Sequence, residues 1–167
     1  MTLKEFAEMF LRLNMDEGLS PDGLRHMIEF AKKALGEDLI KRFVDNGDGT
    51  VTDTKTGLIW LKDANYLGMA MNWEEAERAC KLLAVVAGKV WRLPEVGELF
   101  SLLDFSQYSP ALAKGHPFEN VQSSVYWSAT TRAYNVSYAW VVHMSNGYVD
   151  SDYKVRYGSC VWPVCEL

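Results

Sequence analysis

The sequence predicts an α+β protein, with an N-terminal helical hairpin over residues 1–41 and, over 42–167, a domain of two helices and an antiparallel sheet. Two observations carry this. Before Lys41 the apolar residues recur at helical spacing, whereas from Phe43 onward short β-like runs alternate with turn signals and only two segments keep helical periodicity. A length of 167 residues holds one full domain and an accessory segment, and excludes two large domains.

Leu3, Phe6, Phe10 and Leu13 mark the first helix, and Leu24, Ile28, Ala31 and Leu35 the second, with D-E-G-L-S-P-D-G between them. Ser20 supplies an N-cap, Pro21 takes the first helical position, and Gly36 lies where the second helix relaxes. The apolar stripe of this hairpin can pack on the main domain or on a copy of itself, which would make a homo-oligomer.

In the main domain, Phe43 and Val44 lead to a Gly-rich turn, Val51 and Thr52 follow, and Gly57 opens the run Leu58 to Leu61. Asp45, Asn46 and Asp48 invite comparison with a calcium loop, but Gly47 and Gly49 take positions where ligands are needed, so Asx-turn chemistry is the better account. Asn72 and Glu75 match a capping box at the start of a helix whose Trp73, Ala76, Cys80 and Leu83 share a face. After the extended Val90 to Leu93, Pro94 starts a second helix with Val96, Leu99, Phe100 and Leu103 on one side. The last third reads as strands at Val125 to Ala129, Tyr138 to Met144, Tyr148 to Asp150 and Ser159 to Val164.

Composition narrows the function classes. A chain that is 49% hydrophobic and 23% charged can bury a full core. A net charge of -5 leaves no surplus of Lys and Arg for nucleic acid or anionic membrane, and no apolar run is long enough for membrane insertion. The first residues read as an amphipathic helix rather than a signal peptide. With Met1 as the native start the expected compartment is therefore cytoplasmic, and it is secreted or surface if an export signal has been removed. Cys80, Cys160 and Cys165 allow one disulfide at most. His26, His116 and His143 are scattered and form no helix-spaced metal pair, so no metal, cofactor or catalytic site is expected. Glu95 and Glu98 sit at the positive end of a helix, which accounts for them without catalysis.

The order V-D-N-G-D-G-T-V-T-D-T-K-T-G-L-I-W, N-W-E-E-A, V-W-R-L-P, E-L-F-S-L-L-D, Y-W-S-A-T and A-W-V-V-H-M-S-N-G-Y-V resembles the C-terminal domain of bacterial collagen-like adhesins. That family was long catalogued as a domain of unknown function. The resemblance covers about residues 42 to 165 and implies a C-type-lectin-like fold, with two helices flanking a twisted antiparallel sheet and a ligand bound by its exposed face and long loops. It implies attachment, glycan recognition or a variable binding protein. Where family members carry arginines in the last strand, this chain has Trp162 and Cys165. In such folds a cysteine of the first helix often bonds one of the final strand, which implies that Cys80 pairs with Cys160 or Cys165 and leaves the partner open. The calcium signatures of sugar-binding animal lectins are absent. A rival resemblance is to the formylglycine-generating enzymes, copper-dependent thiol oxidases with a similar R-L-P stretch. Their catalytic insertions do not fit within 42–167, and the third alternative is a purely structural interaction domain.

The site expected from the sequence is a glycan- or protein-binding surface on Thr131 to Tyr138 and Asp150 to Tyr157, stretches rich in Tyr, Asn, Ser and Asp. Tyr134, Tyr138, Tyr148, Tyr153 and Tyr157 are its aromatic contacts, and Arg132, Asn135, His143, Asp152 and Arg156 its polar ones. Trp60, Trp73, Trp91, Trp127 and Trp140 are expected inside the domain, with Arg92 hydrogen-bonded there.

Overall fold

Strands β1 (Phe43–Asp45), β2 (Thr50–Asp53) and β3 (Leu58–Leu61) form an antiparallel meander whose turns are set by short polar side chains. The Asp45 carboxylate accepts the Gly47 N–H at 2.9 Å and that of Asp48 accepts the Thr50 N–H at 3.0 Å, so both aspartates serve as Asx turns. The computed structural model describes residues 42–166; the hairpin expected over 1–41 lies outside the described residues. After β3 come helix α1 (Trp73–Ala87), helix α2 (Val96–Ser101), and strands β4 (Val125–Thr131), β5 (Tyr138–His143), β6 (Val149–Tyr153) and β7 (Val164–Glu166). The architecture is mixed α+β.

The expected single sheet is in fact two. One is four-stranded in the order β1-β2-β3-β7, the other three-stranded in the order β4-β5-β6. All four residues of β3 are buried, because this strand lies between β2 and β7 and has no free edge. The run Ser159 to Val164, read from the sequence as one strand, instead joins the sheets. Cys160 donates its N–H to the Val125 carbonyl at 2.7 Å and accepts from the Trp127 N–H at 3.1 Å, while Pro163 accepts from the Leu61 N–H at 3.1 Å. Trp162 lies between these two attachments.

Alternation along the three-stranded sheet gives it a core on each face. Tyr126 and Val142 join Trp60, Leu99, Trp162 and Val164 in the larger cluster. Their chain neighbours Trp127 and Val141, which point to the opposite face, join Ala76, Cys80 and Val161 in the second. Trp162 is fully buried, donates from Nε1 to the Leu61 carbonyl at 2.9 Å, and meets the rings of Trp60, Phe118 and Tyr126 at 5.5, 4.9 and 5.7 Å. Of the five tryptophans expected inside, Trp60, Trp91 and Trp127 are buried, whereas Trp73 and Trp140 are half-buried.

Helix α1 starts as its sequence requires. Asn72 accepts the Glu75 N–H at 3.0 Å, Glu75 reaches back to the Asn72 N–H at 3.4 Å, and Gly88 ends the helix at φ 68°. Helix α2 begins two residues after Pro94, with Glu98 accepting the Glu95 N–H at 2.7 Å. The same Glu98 takes both guanidinium nitrogens of Arg92 at 2.8 Å, the internal bonding expected of Arg92. Phe100 departs from expectation: the helix is short and turns Leu99 inward, leaving Phe100 exposed against Phe105, ring to ring at 5.8 Å.

At the β5–β6 turn Gly147 holds φ 78°, and a Cβ there would come within 2.8 Å of the Phe105 ring. Gly147→Ala is therefore expected to cost about 1–2 kcal/mol, from the left-handed backbone and the displaced ring together. Thermal denaturation of the variant measures this; an unchanged melting temperature would show that the turn relaxes freely.

Candidate ligand-binding surface

Strands β5 and β6 pair with Tyr138 opposite Tyr153, Trp140 opposite Ser151 and Val142 opposite Val149, so these six share one face of the pleat. Val142 is buried in the core, but toward the start of β5 the same face opens to solvent. There the Tyr138 and Tyr153 rings meet at 5.1 Å. The turn before β5 is tied by its own backbone: Arg132 donates its N–H to the Tyr138 carbonyl at 2.9 Å, and Tyr138 donates to Asn135 at 3.1 Å. Asn135 also accepts the Ser137 N–H on its side-chain oxygen at 3.2 Å, so it shapes the turn. This geometry carries the Arg132 guanidinium over the Tyr134 ring, 4.1 Å from its centroid, and to 5.8 Å from that of Tyr138.

Arg132, Tyr134, Tyr138 and Tyr153 thus form one cluster. The stretch from Asp150 is not the loop its composition suggested; its first four residues belong to β6, because the exposed side chains are polar while the backbone pairs fully with β5. Asp152 alternates with Tyr153 and holds Arg156 at 3.3 Å. Lys154 places its ammonium 3.9 Å from the Trp73 ring centroid and donates to Thr131 Oγ1 at 2.8 Å. Trp73 in turn donates from Nε1 to the Ser128 carbonyl at 2.8 Å, which explains why it stays half-buried at the helix start. The Trp73–Lys154–Thr131 contact was not foreseen, since helical spacing put Trp73 on the core face.

The remaining expected residues are elsewhere. Tyr157 donates to Glu75 at 2.8 Å, tying the segment after β6 to the α1 cap, and this hydrogen bond raises the Tyr157 phenol above its ordinary pKa. His143 and Tyr148 stack edge to face at 5.7 Å at the far end of β5. Five residues of strand, or ~17 Å, separate His143 from Tyr138, so this pair does not join the cluster. Beside Tyr148 runs a second group of exposed aromatic residues that sequence reasoning missed, Phe100, Phe105 and Tyr108. Phe105 lies against Gly147.

Nothing in the cysteine chemistry matches the surface. All three thiols are free and buried, with Cys80 in the smaller core cluster and Cys160 and Cys165 in the larger, so the disulfide implied by the lectin-like resemblance is not formed. Burial pushes the Cys80 thiol up to about 12 and raises those of Cys160 and Cys165. Among the described residues no group of His, Cys, Asp and Glu is placed to hold a metal ion. A cleft of about 420 Å³ between the first turn and Glu119 is spanned by Lys62, which pairs with Asp45 at 3.1 Å and Glu119 at 2.6 Å.

Among the described residues no helix is long and apolar enough to cross a membrane. A family model described as the Lcl C-terminal domain matches residues 49–165. No curated protein and no solved structure matches the chain.

Proposed function

The chain belongs to the Lcl C-terminal domain family, and from that premise we propose that it is a non-enzymatic recognition module, adhesin-like in role and C-type-lectin-like in fold. It binds a glycan or a protein through the open end of the β4-β5-β6 sheet. One observation carries this reading: Tyr134 is 75% exposed and Tyr153 44%, yet both are held in a cluster with Arg132 and Tyr138 on a backbone-tied turn. Pre-ordered aromatic rings offer contact area at low entropic cost, and a neighbouring arginine adds directional hydrogen bonds. The polar side chains around them are bound to one another, as in Asp152 with Arg156 and Lys154 with Thr131, which supplies a wettable rim. The copper thiol oxidase alternative is disfavoured because its chemistry needs a pair of thiols open to substrate, and Cys160 and Cys165 are both buried in the core.

A glycan and protein array probed with the wild type and with the Tyr134→Ala, Tyr153→Ala double variant tests the reading. Both side chains are exposed, so the variant is expected to melt within a few degrees of the wild type while its array signal falls about tenfold or more. Equal signals from both proteins on every hit would place the binding site elsewhere.

A further inference from the structure

We propose that the Arg132 cluster takes an Asp or Glu side chain of a partner protein, presented among apolar neighbours. This rests on the recognition reading above and specifies the partner that the surface fits.

Three cations surround the open end of the sheet, and two are already engaged: Arg156 by Asp152, and Lys154 by Thr131 and the Trp73 ring. The Arg132 guanidinium lies against two tyrosine rings and makes no hydrogen bond or ion pair among the described residues. Its Nε is buried without an acceptor, and among the described residues no carboxylate or carbonyl meets the guanidinium. Stacking on the rings holds the guanidinium flat, and its terminal Nη1–Nη2 edge, which no hydrogen bond or ion pair among the described residues occupies, has the geometry that receives a carboxylate in two parallel hydrogen bonds.

Two exposed valines flank the cluster. Val136 is 71% and Val155 68% exposed. The Lys154 N–H bonds to the Ser137 carbonyl at 2.9 Å, which brings the two valine-bearing segments side by side next to the tyrosines. A branched aliphatic side chain offers no π face and no hydrogen bond to a sugar, but it is covered well by apolar side chains of a protein. The rim carries acidic residues of its own. Asp150 is exposed and Asp152 is close by, so a polyanionic chain laid across the surface meets repulsion, whereas one carboxylate directed at Arg132 does not. A central arginine with tyrosines inside a polar rim is the usual anatomy of a protein-binding hot spot.

The test is selection of a displayed library of short random peptides on the immobilised full chain, with the Tyr134→Ala, Tyr153→Ala variant as counter-selection. Enriched peptides are expected to carry an Asp or Glu beside apolar residues. Synthetic versions should lose about tenfold or more in affinity when that residue becomes Gln or Asn, and equally on Arg132→Gln, while Arg132→Lys recovers part of the loss. Enriched peptides without an acid, equal affinity for Arg132→Gln, or no enrichment at all would each overturn the proposal. Glycan hits that depend on Tyr134 and Tyr153, in the absence of enriched peptides, would overturn it and leave the recognition reading standing. Array hits insensitive to those tyrosines would remove both.

Discussion

Trp162→Ala should lower the unfolding free energy by about 3–5 kcal/mol, enough to leave a domain of ordinary stability barely folded at physiological temperature. The side chain is fully buried, contacts three aromatic rings, and donates its indole N–H to Leu61 in β3. Truncation opens a cavity between the sheets and strands the Leu61 carbonyl at the same time. Chemical denaturation is the measurement. Trp162→Phe, which keeps the rings in contact and loses the hydrogen bond, is expected to cost roughly half as much. A loss below 1 kcal/mol in the alanine variant would show that the core closes around the gap.

The second large effect is expected at Arg42→Met. Asp53 is buried and takes two hydrogen bonds from Arg42, at 3.0 and 2.7 Å, while accepting the Lys55 N–H at 3.0 Å. Burial pushes the Asp53 carboxyl upward, but the Arg42 guanidinium and the Lys55 N–H outweigh it and hold the group below the usual carboxylate range. Removing the cation takes away two of the three hydrogen bonds named above from a buried carboxylate, at a cost of about 2–3 kcal/mol; partial exposure of Arg42 keeps the figure below that of a fully buried pair. The effect depends on pH in a defined direction. Because the folded pKa is depressed, the wild type has the full contribution above the unfolded value of about 4 and loses it as pH falls through the folded value. Stability curves of wild type and Arg42→Met should thus lie apart at neutral pH and converge in acid. A gap that is constant with pH would assign the loss to packing on Phe43, which the guanidinium covers at 4.5 Å.

Local chemistry was legible in the sequence and distant pairing was not. Asn72 and Glu75 act within one turn of each other, so their capping box could be read directly, as could Leu58 to Leu61 and the Asx turns at Asp45 and Asp48. The family was legible from its ordered blocks, and the matched region 49–165 agrees with them. Ser159 to Val164 misled because its strand-like pattern is divided between two partners, β4 and β3, that lie far away in sequence. Trp162 was missed for the same reason: a tryptophan between valine and proline does not reveal that two sheets converge on it. At the candidate surface, composition singled out two segments that the fold does bring side by side. Whether two neighbours share a face depends on register, however, and register separates Asp152 from Tyr153 and leaves His143 and Tyr148 at the other end of the strand.

The joining segment also bears on how the domain reaches its fold during synthesis. Strand β3 is apolar along its whole length, and its second partner is β7, which the ribosome makes about a hundred residues later. Until residues 159–166 have emerged, the growing chain carries Leu58 to Leu61 as an uncovered strand edge, the kind of surface on which nascent chains stick to one another. Assembly of this domain consequently waits for residues 159–166, and occupancy by holdase chaperones should persist on the nascent chain until that last strand is released.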